Sequence, residues 1–439
     1  MSTDFAYGWY DQDASVAVEH PAETQLFPNR TSQQSTPELE KILAIQPDSF
    51  LGWSYRGYVL NQLSAYEAAI ASYEQAFQYC TDDYKSWYNY SSALMHLGRC
   101  AEAIAGYSKV IALQPGYYRA WYYRGKALYR TGNYMEALVS FERTLELRPQ
   151  SLKALKHRGY ALAKLGCYQE AVTSFDQVLT LLPHNADLWQ QRGAALQHLG
   201  HFLEALNSFD QALLICPQNS HLWYKRGLVL GCLDQYEEAL TSFDRALELQ
   251  PKDYCAWYNR GIALKKLKAP EAALESFDQA LMLQDKNAKV WVIQGLALWQ
   301  LERTEEALLS LEKALEIQPD DPKAWYSQGC VFFDLQRYED AANSYIRTLT
   351  IEPYHCDGWV ALALSAQNMQ QYEAAIASYD KALTIQPDNA QVFYQLAYCH
   401  LCQGQVEWAK EHLRRAIGLE PDYRSKAQAD ADLVKLLER

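Results

Sequence analysis

The sequence predicts an all-α protein, a solenoid of paired helices, and three observations carry that prediction. Tryptophans recur every 34 residues, at Trp53, Trp87, Trp121, Trp189, Trp223, Trp257, Trp291, Trp325 and Trp359, with Leu155 and Phe393 on the two remaining positions of the grid. Prolines keep the same beat at Pro115, Pro149, Pro183, Pro217, Pro251, Pro319, Pro353, Pro387 and Pro421, with Thr81 and Asp285 as the lapses. Sixteen residues after each grid residue stands an alanine, from Ala69 and Ala103 to Ala409. Eleven units of 34 residues therefore fill 50–423 without insertion or deletion. A period of this length marks stacked two-helix units, each unable to bury its apolar face alone.

Each unit opens with a helix whose packed residues recur at i, i+3, i+4 and i+7, as in Trp121, Arg124, Gly125 and Leu128. The glycine lets a neighbouring helix approach, and the arginine stem can lie along the interface. A second helix follows, such as Glu136 to Leu147, and Pro149 stops it. Pro270 falls at the start of a second helix, where its missing N–H costs little. Residues 37–49 read as an N-terminal half-repeat helix, with Leu39, Ile42 and Leu43 ahead of Pro47. Residues 424–439 read as a C-terminal cap helix: Ala429, Leu433, Leu436 and Leu437 form an apolar stripe backed by Asp430, Asp432, Lys435 and Glu438. Residues 1–36 stand outside the lattice as an acidic-aromatic tail.

The unit spelled by Trp257, Gly261, Leu264, Ala273, Phe277 and Ala280 resembles the tetratricopeptide repeat (TPR), and the match covers about 85% of the chain. The resemblance implies a right-handed superhelical α-solenoid without an appended catalytic domain. It also implies a concave groove, lined by the second, fifth, ninth and twelfth residues of each unit, that takes up protein segments. The unit style W-Y-x-R-G-x-A-L is similar to that of bacterial arrays, including assembly factors of large complexes. That likeness implies a scaffold or adaptor with a chaperone-like assembly role.

Composition narrows the classes. With 49% hydrophobic residues in 439, the chain can bury a core, and global disorder is excluded. A net charge of −13 argues against nucleic acid or an anionic membrane surface as partner. Ten cysteines run from Cys80 to Cys402 without framework spacing, acids (Asp4, Asp11, Asp13) stand where a leader needs bases, and no apolar run reaches a membrane span. A cytoplasmic protein with reduced thiols is the expectation. No phosphate-cradling glycine loop, G-x-S-x-G or H-E-x-x-H element occurs, so neither an enzyme nor a cofactor is predicted. Cys399 and Cys402 flank His400 on a helix without a second ligand pair, and His198 and His201 have no evident carboxylate or cysteine company, so no metal site is predicted.

Two stretches stand out along the groove positions. Between Gly116 and Met135 there is no acid, while Arg119, Arg124, Lys126 and Arg130 alternate with Tyr118, Tyr122, Tyr123 and Tyr129. The next unit continues with Lys153, Lys156, His157, Arg158, Tyr160 and Lys164. Arg124 and Arg158 belong to the lattice, and a solvated face is the plain alternative for the rest. The functional reading is a site for an acidic partner segment, built from Arg119, Tyr122, Lys126, Tyr129, Arg130, Lys153, Lys156, His157, Tyr160 and Lys164. The dicarboxylate clamp of some TPR domains is not matched, because Tyr122, Lys126, His157, Asp187 and Gln191 supply no asparagine and include an acid.

The second stretch is apolar: Val292, Leu296, Trp299, Cys330, Phe333, Val360 and Leu364. It is expected to form an exposed docking patch, with burial between neighbouring first helices as the alternative. In the tail, Phe5, Tyr7, Trp9 and Tyr10 among acids form a possible built-in ligand for the basic face, in the same chain or in a second copy. This leaves a self-assembling or autoinhibited regulator as the second function. An RNA-binding helical repeat is a third, which the net charge disfavours.

Overall fold

The structure, a computed structural model, describes residue 41 and residues 44–437. The expectations for the tail (Phe5, Tyr7, Trp9, Tyr10) and for most of 37–49 lie outside the described residues. The chain divides at Gln235/Tyr236 into two compact bodies. In the first, α1 (Phe50–Gln62) pairs with α2 (Tyr66–Tyr79), α3 (Tyr84–His96) with α4 (Cys100–Leu113) and α5 (Tyr118–Arg130) with α6 (Tyr134–Leu147). There follow α7 (Leu152–Lys164) with α8 (Tyr168–Leu179), α9 (Ala186–His198) with α10 (Phe202–Ile215), and α11 (Ser220–Cys232). The second body opens on α12 (Tyr236–Leu249) and pairs α13 (Tyr254–Lys266) with α14 (Pro270–Leu283) and α15 (Ala288–Gln300) with α16 (Thr304–Ile317). It continues with α17 (Pro322–Asp334) and α18 (Tyr338–Ile351), α19 (Cys356–Asn368) and α20 (Tyr372–Ile385), α21 (Ala390–Cys402) and α22 (Val406–Leu419), then α23 (Asp422–Ala429). Within each body successive first helices also touch, as α5 does α7 and α15 does α17, so they make one continuous layer.

The ends of the first helices are chemically set. Ten of the eleven start at a capping side chain, for example Ser49, Asp83, Asn185 and Asp321, which accepts a first-turn N–H. The exception is α5, preceded by Tyr117. In the connection that follows each first helix one residue adopts positive φ. It is glycine at Gly98, Gly132, Gly166, Gly200 and Gly404, but Ser64, Asp234, Lys268, Glu302, Gln336 and Gln370 hold φ of 58–61° without that freedom.

Inside a pair, the first helix gives up its side chain where the second lays down a ring. A Cβ on Gly159 would sit 2.5 Å from Phe175 Cε1, and Gly125, Gly261 and Gly329 stand in the same relation to Phe141, Phe277 and Tyr345. The second pair makes the same fit differently, with Ser91 in the glycine's place and Gly106 opposite its hydroxyl. All eleven lattice alanines, Ala69 to Ala409, are fully buried.

Between consecutive pairs the lattice tryptophan acts as a staple. Eight of them, from Trp87 to Trp359, donate the indole N–H to the carbonyl six residues back, at 2.8–2.9 Å. In six of the eight that carbonyl belongs to the lattice proline, after which the preceding helix has already ended. Where an arginine stands beside the glycine, it is a second staple. Arg192 donates to Ser208 in its own pair (2.7 Å) and to Asp176 in the preceding one (2.6 Å). Arg158 and Arg260 repeat this with Ser174 and Glu142 and with Ser276 and Asp244.

In the eighth unit Gln294 stands in the arginine's place, binding Asp278 (2.6 Å) and accepting from Ser310 (3.1 Å). Nearby, Arg303 pairs with Glu306 at 2.7 Å.

The C-terminus departs from the expected single helix over 424–439. Helix α23 stops at Ala429, because the Asp430 carboxylate accepts the backbone N–H of Asp432 (2.9 Å) and Leu433 (3.1 Å) and restarts the chain as a short 3-10 turn, Leu433–Leu436. Leu433 and Leu436 are buried nonetheless, against Ala397, Ala409 and Leu413.

Two substitutions test these constraints. Gly159→Val should destabilise by about 1–3 kcal/mol, since Phe175 has nowhere to move. Glu302→Gly should stabilise by about 0.5–1 kcal/mol by relieving a left-handed residue. Urea titration reads both, and a neutral Gly159→Val would refute the close approach.

Candidate protein-binding face

The basic stretch lies on α5 and α7, adjacent helices of the first-helix layer. Sequence reasoning placed ten side chains there, and the structure sorts them into two sets. Arg119, Arg130, Lys153 and Lys164 are exposed, and Lys126 and Tyr129 are half-buried. Tyr122 (9% exposed), His157 (8%) and Tyr160 (9%) are buried, which corrects their assignment as groove surface. Their rings interdigitate between the two helices: His157 lies 5.5 Å from Tyr122 and 5.8 Å from Tyr160, both edge-on, and 5.6 Å from Phe141. His157 Nδ1 stands 2.8 Å from the Lys153 carbonyl, which sets Nδ1 as the protonated nitrogen.

Lys156 is corrected too. It is half-buried, and its ammonium meets Asp187 of α9 at 3.1 Å. The Tyr160 hydroxyl donates to the same carboxylate oxygen. An acid one unit further on thus neutralises the Lys156 end of the face. Arg124 and Arg158 belong to the arginine staple, with Arg124 reaching Ser140 at 2.9 Å. The other cations of the two helices are Arg119, Lys126, Arg130, Lys153 and Lys164, and Tyr129 lies on α5 with the first three. Their field reaches α3: His96, stacked on Tyr66 at 4.5 Å, is held below the usual histidine range by burial, then by Arg130 and Lys126.

The apolar stretch, on α15, α17 and α19, is not an exposed patch. Val292 is buried, and Leu296, Trp299, Cys330, Phe333, Val360 and Leu364 are half-buried against the core of the second body. Consecutive first helices touch here, so large side chains at these positions wedge between helices. Trp299 is also tied by its indole N–H to Asp334 at 2.8 Å.

The histidine and cysteine candidates stay structural. His198 stacks on Tyr168 at 4.5 Å. His201 does have carboxylate company, with Glu204 at 3.6 Å. Cys399 is fully buried and its thiol is pushed up to about 12 by burial, then by Cys402, which is exposed. Among the described residues no three His, Cys, Asp or Glu side chains are placed to hold a metal, and no helix is long and apolar enough to cross a membrane.

Tandem helix pairs with a continuous layer of first helices define a helical-repeat α-solenoid. Tetratricopeptide repeat profiles match residues 56–118, 88–151, 122–186, 224–289 and 293–354, and others match 186–219, 368–404 and 390–423. The chain belongs to the tetratricopeptide repeat family, whose members serve as scaffolds for protein partners. Among solved structures, YrrB, a TPR protein with an unusual peptide-binding site, is 24% identical over 43% of this chain and 96% of its own, with a TM-score of 0.38. The Cut9–Hcn1 hetero-tetramer of the APC/C is 14% identical over 91% and 97%, with a TM-score of 0.42. Yeast Tom70 is 16% identical over 89% and 99%, with a TM-score of 0.40. No curated protein sequence matches the chain.

Trp299→Ala should cost about 2–4 kcal/mol as a wedge between helices is lost, and Trp299→Phe about 1 kcal/mol for the bond to Asp334. An unchanged melting temperature for Trp299→Ala would restore the exposed-patch reading. Under iodoacetamide at pH 8, Cys402, Cys167 and Cys216 should alkylate while Cys399 and Cys356 stay protected. Equal labelling of Cys399 and Cys402, read by peptide mass, would mean that α21 is not packed as described.

Proposed function

We propose that this protein is an interaction scaffold that holds an acidic segment of a partner protein on the α5–α7 face. One observation carries the reading: in a chain of net charge −13, the cations Arg119, Lys126, Arg130, Lys153 and Lys164 gather on one face, and the nearby acid Asp187 is taken by Lys156. Ammonium and guanidinium groups attract carboxylates, and Tyr129 adds rigid apolar area. The unit style it shares with bacterial arrays supports a chaperone-like role in assembling a larger complex, and the unpatterned cysteines support a cytoplasmic setting.

Replacing Lys126, Arg130 and Lys153 together by Glu should weaken an acidic peptide by more than tenfold while leaving the circular dichroism unchanged. His96 provides an internal reporter. Its folded pKa is lowered, by burial first and then by Arg130 and Lys126, so folding favours the neutral ring, and the stability this leaves above the unfolded pKa is lost as pH falls through the folded one. A bound acidic segment offsets the Lys126 and Arg130 charges and should raise the His96 pKa in an NMR titration. Unaltered peptide affinity in the triple variant would sink the reading.

A second reading makes the chain's own acidic-aromatic residues Asp4, Phe5, Tyr7, Trp9, Tyr10, Asp11 and Asp13 the occupant, in support of which stands their complementarity to the face. Replacing Asp4, Asp11 and Asp13 by Asn in the full chain should then raise affinity for an added acidic peptide or change the mass by light scattering. No change in either excludes the tail.

A further inference from the structure

We propose that Arg119, Arg148 and the hydroxyl of Tyr118 form a seat for a carboxylate side chain of an acidic protein segment, at the loop end of the third repeat. The seat rests on the reading of the α5–α7 face above and gives the bound segment a fixed point. Arg148 Nη1 donates to Tyr118 Oη at 2.6 Å, and Arg119 Nε donates to the same oxygen at 3.3 Å. The two guanidinium carbons lie 5.1 and 6.0 Å from the Tyr118 ring centre.

Two full positive charges therefore converge on one neutral oxygen. Among the described residues, neither arginine has a carboxylate at ion-pair distance. Elsewhere the chain supplies one readily: Arg99, Arg192, Arg226 and Arg260 each meet an acid at 2.6–2.7 Å. A phenol that accepts two N–H bonds keeps its own proton to donate, and each guanidinium retains further N–H groups. Together they offer a fork of donors matched to the two oxygens of a carboxylate.

Two neighbouring features fit a peptide-borne group. The start of α5, where Tyr117 replaces a capping side chain, leaves the positive end of the helix without a side-chain acceptor, although the Tyr117 carbonyl accepts the Ala120 N–H at 3.0 Å. Beside Arg119 stands an aromatic wall, in which Tyr117 meets Tyr84 and Tyr88 at 5.3 Å each. A free anion gains nothing from that wall, whereas a carboxylate followed by an aromatic residue fills both parts. Arg148 stands at the end of α6, so the seat lies largely off the stripe of second, fifth, ninth and twelfth residues.

The test uses the full chain and a labelled hexapeptide of alternating Glu and Tyr, titrated by fluorescence anisotropy. A Gln/Tyr peptide and inorganic phosphate at matched ionic strength are the other arms. Arg119→Gln with Arg148→Gln should weaken the Glu/Tyr peptide by about tenfold or more, and Tyr118→Phe by roughly threefold. The Gln/Tyr peptide should bind at least about tenfold more weakly, and millimolar phosphate should not displace the Glu/Tyr peptide. Both arginines are exposed, so thermal melts should match the unaltered protein. If the arginine pair can be replaced without effect while Lys126→Gln with Lys153→Gln abolishes binding, the seat is wrong and the face reading survives. If the unaltered protein does not bind the Glu/Tyr peptide, both fall. Displacement by phosphate would overturn the assignment of a peptide carboxylate.

Discussion

In six repeats the packing rests on one close approach, an aromatic ring of the second helix lying against bare backbone of the first. Gly159 under Phe175 and Gly261 under Phe277 leave no room for a methyl group. That contact sets the distance between paired helices, and the distance decides the rest. Lattice alanines such as Ala171 and Ala273 fit only because the second helix is held this near. The arginine beside the glycine then spans from its own pair to the preceding one, and the tryptophan reaches back to the turn that precedes its helix. A fixed period of 34 residues follows, since a single insertion would disengage ring, staple and turn at once.

The same network determines which charges are available to a partner. The lattice arginines Arg124, Arg158, Arg192, Arg226 and Arg260 are engaged with serine and acid partners inside the solenoid. They add little to the surface potential despite their number. The exposed cations Arg119, Arg130, Lys153 and Lys164 on α5 and α7 come from positions the lattice arginines do not use. A partner approaching a body of net negative charge is steered by those cations rather than by the mean field.

Much of the fold was legible because it repeats. The beat of tryptophan, proline and alanine located the helices of all eleven units, and the glycine-to-ring spacing was visible in Gly125 and Phe141. What stayed hidden involves two units at a time. The shared spacing of Trp257 and Pro251 reads as two separate rules in sequence, yet it is one hydrogen bond. The pairing of Arg192 with Asp176 and Ser208 leaves a sixteen-residue spacing in both directions, a signal present in the text but not read. The burial of Tyr122, His157, Tyr160 and Val292 follows from how closely successive first helices meet, which no single-unit helical wheel contains. Lys156 looked available because its partner, Asp187, belongs to the next repeat. The cap was misread at Asp430, where a local side-chain bond to the backbone outcompeted an apolar stripe that fits one helix on paper.

The second repeat, where Ser91 and Gly106 exchange the usual small and bare positions, has a consequence for how the chain finds its order. Near-identical tandem units can pair one period out of step at little loss of contact, a hazard of repetitive sequences. Most second helices here carry serine where Gly106 stands, so any of them offered to α3 would push a side chain into the Ser91 hydroxyl. A second helix with serine there must turn that hydroxyl out of its bond to the Trp87 carbonyl, whereas Gly106 leaves the bond in place. In an array of similar units, this pair disfavours an out-of-step partner at one place.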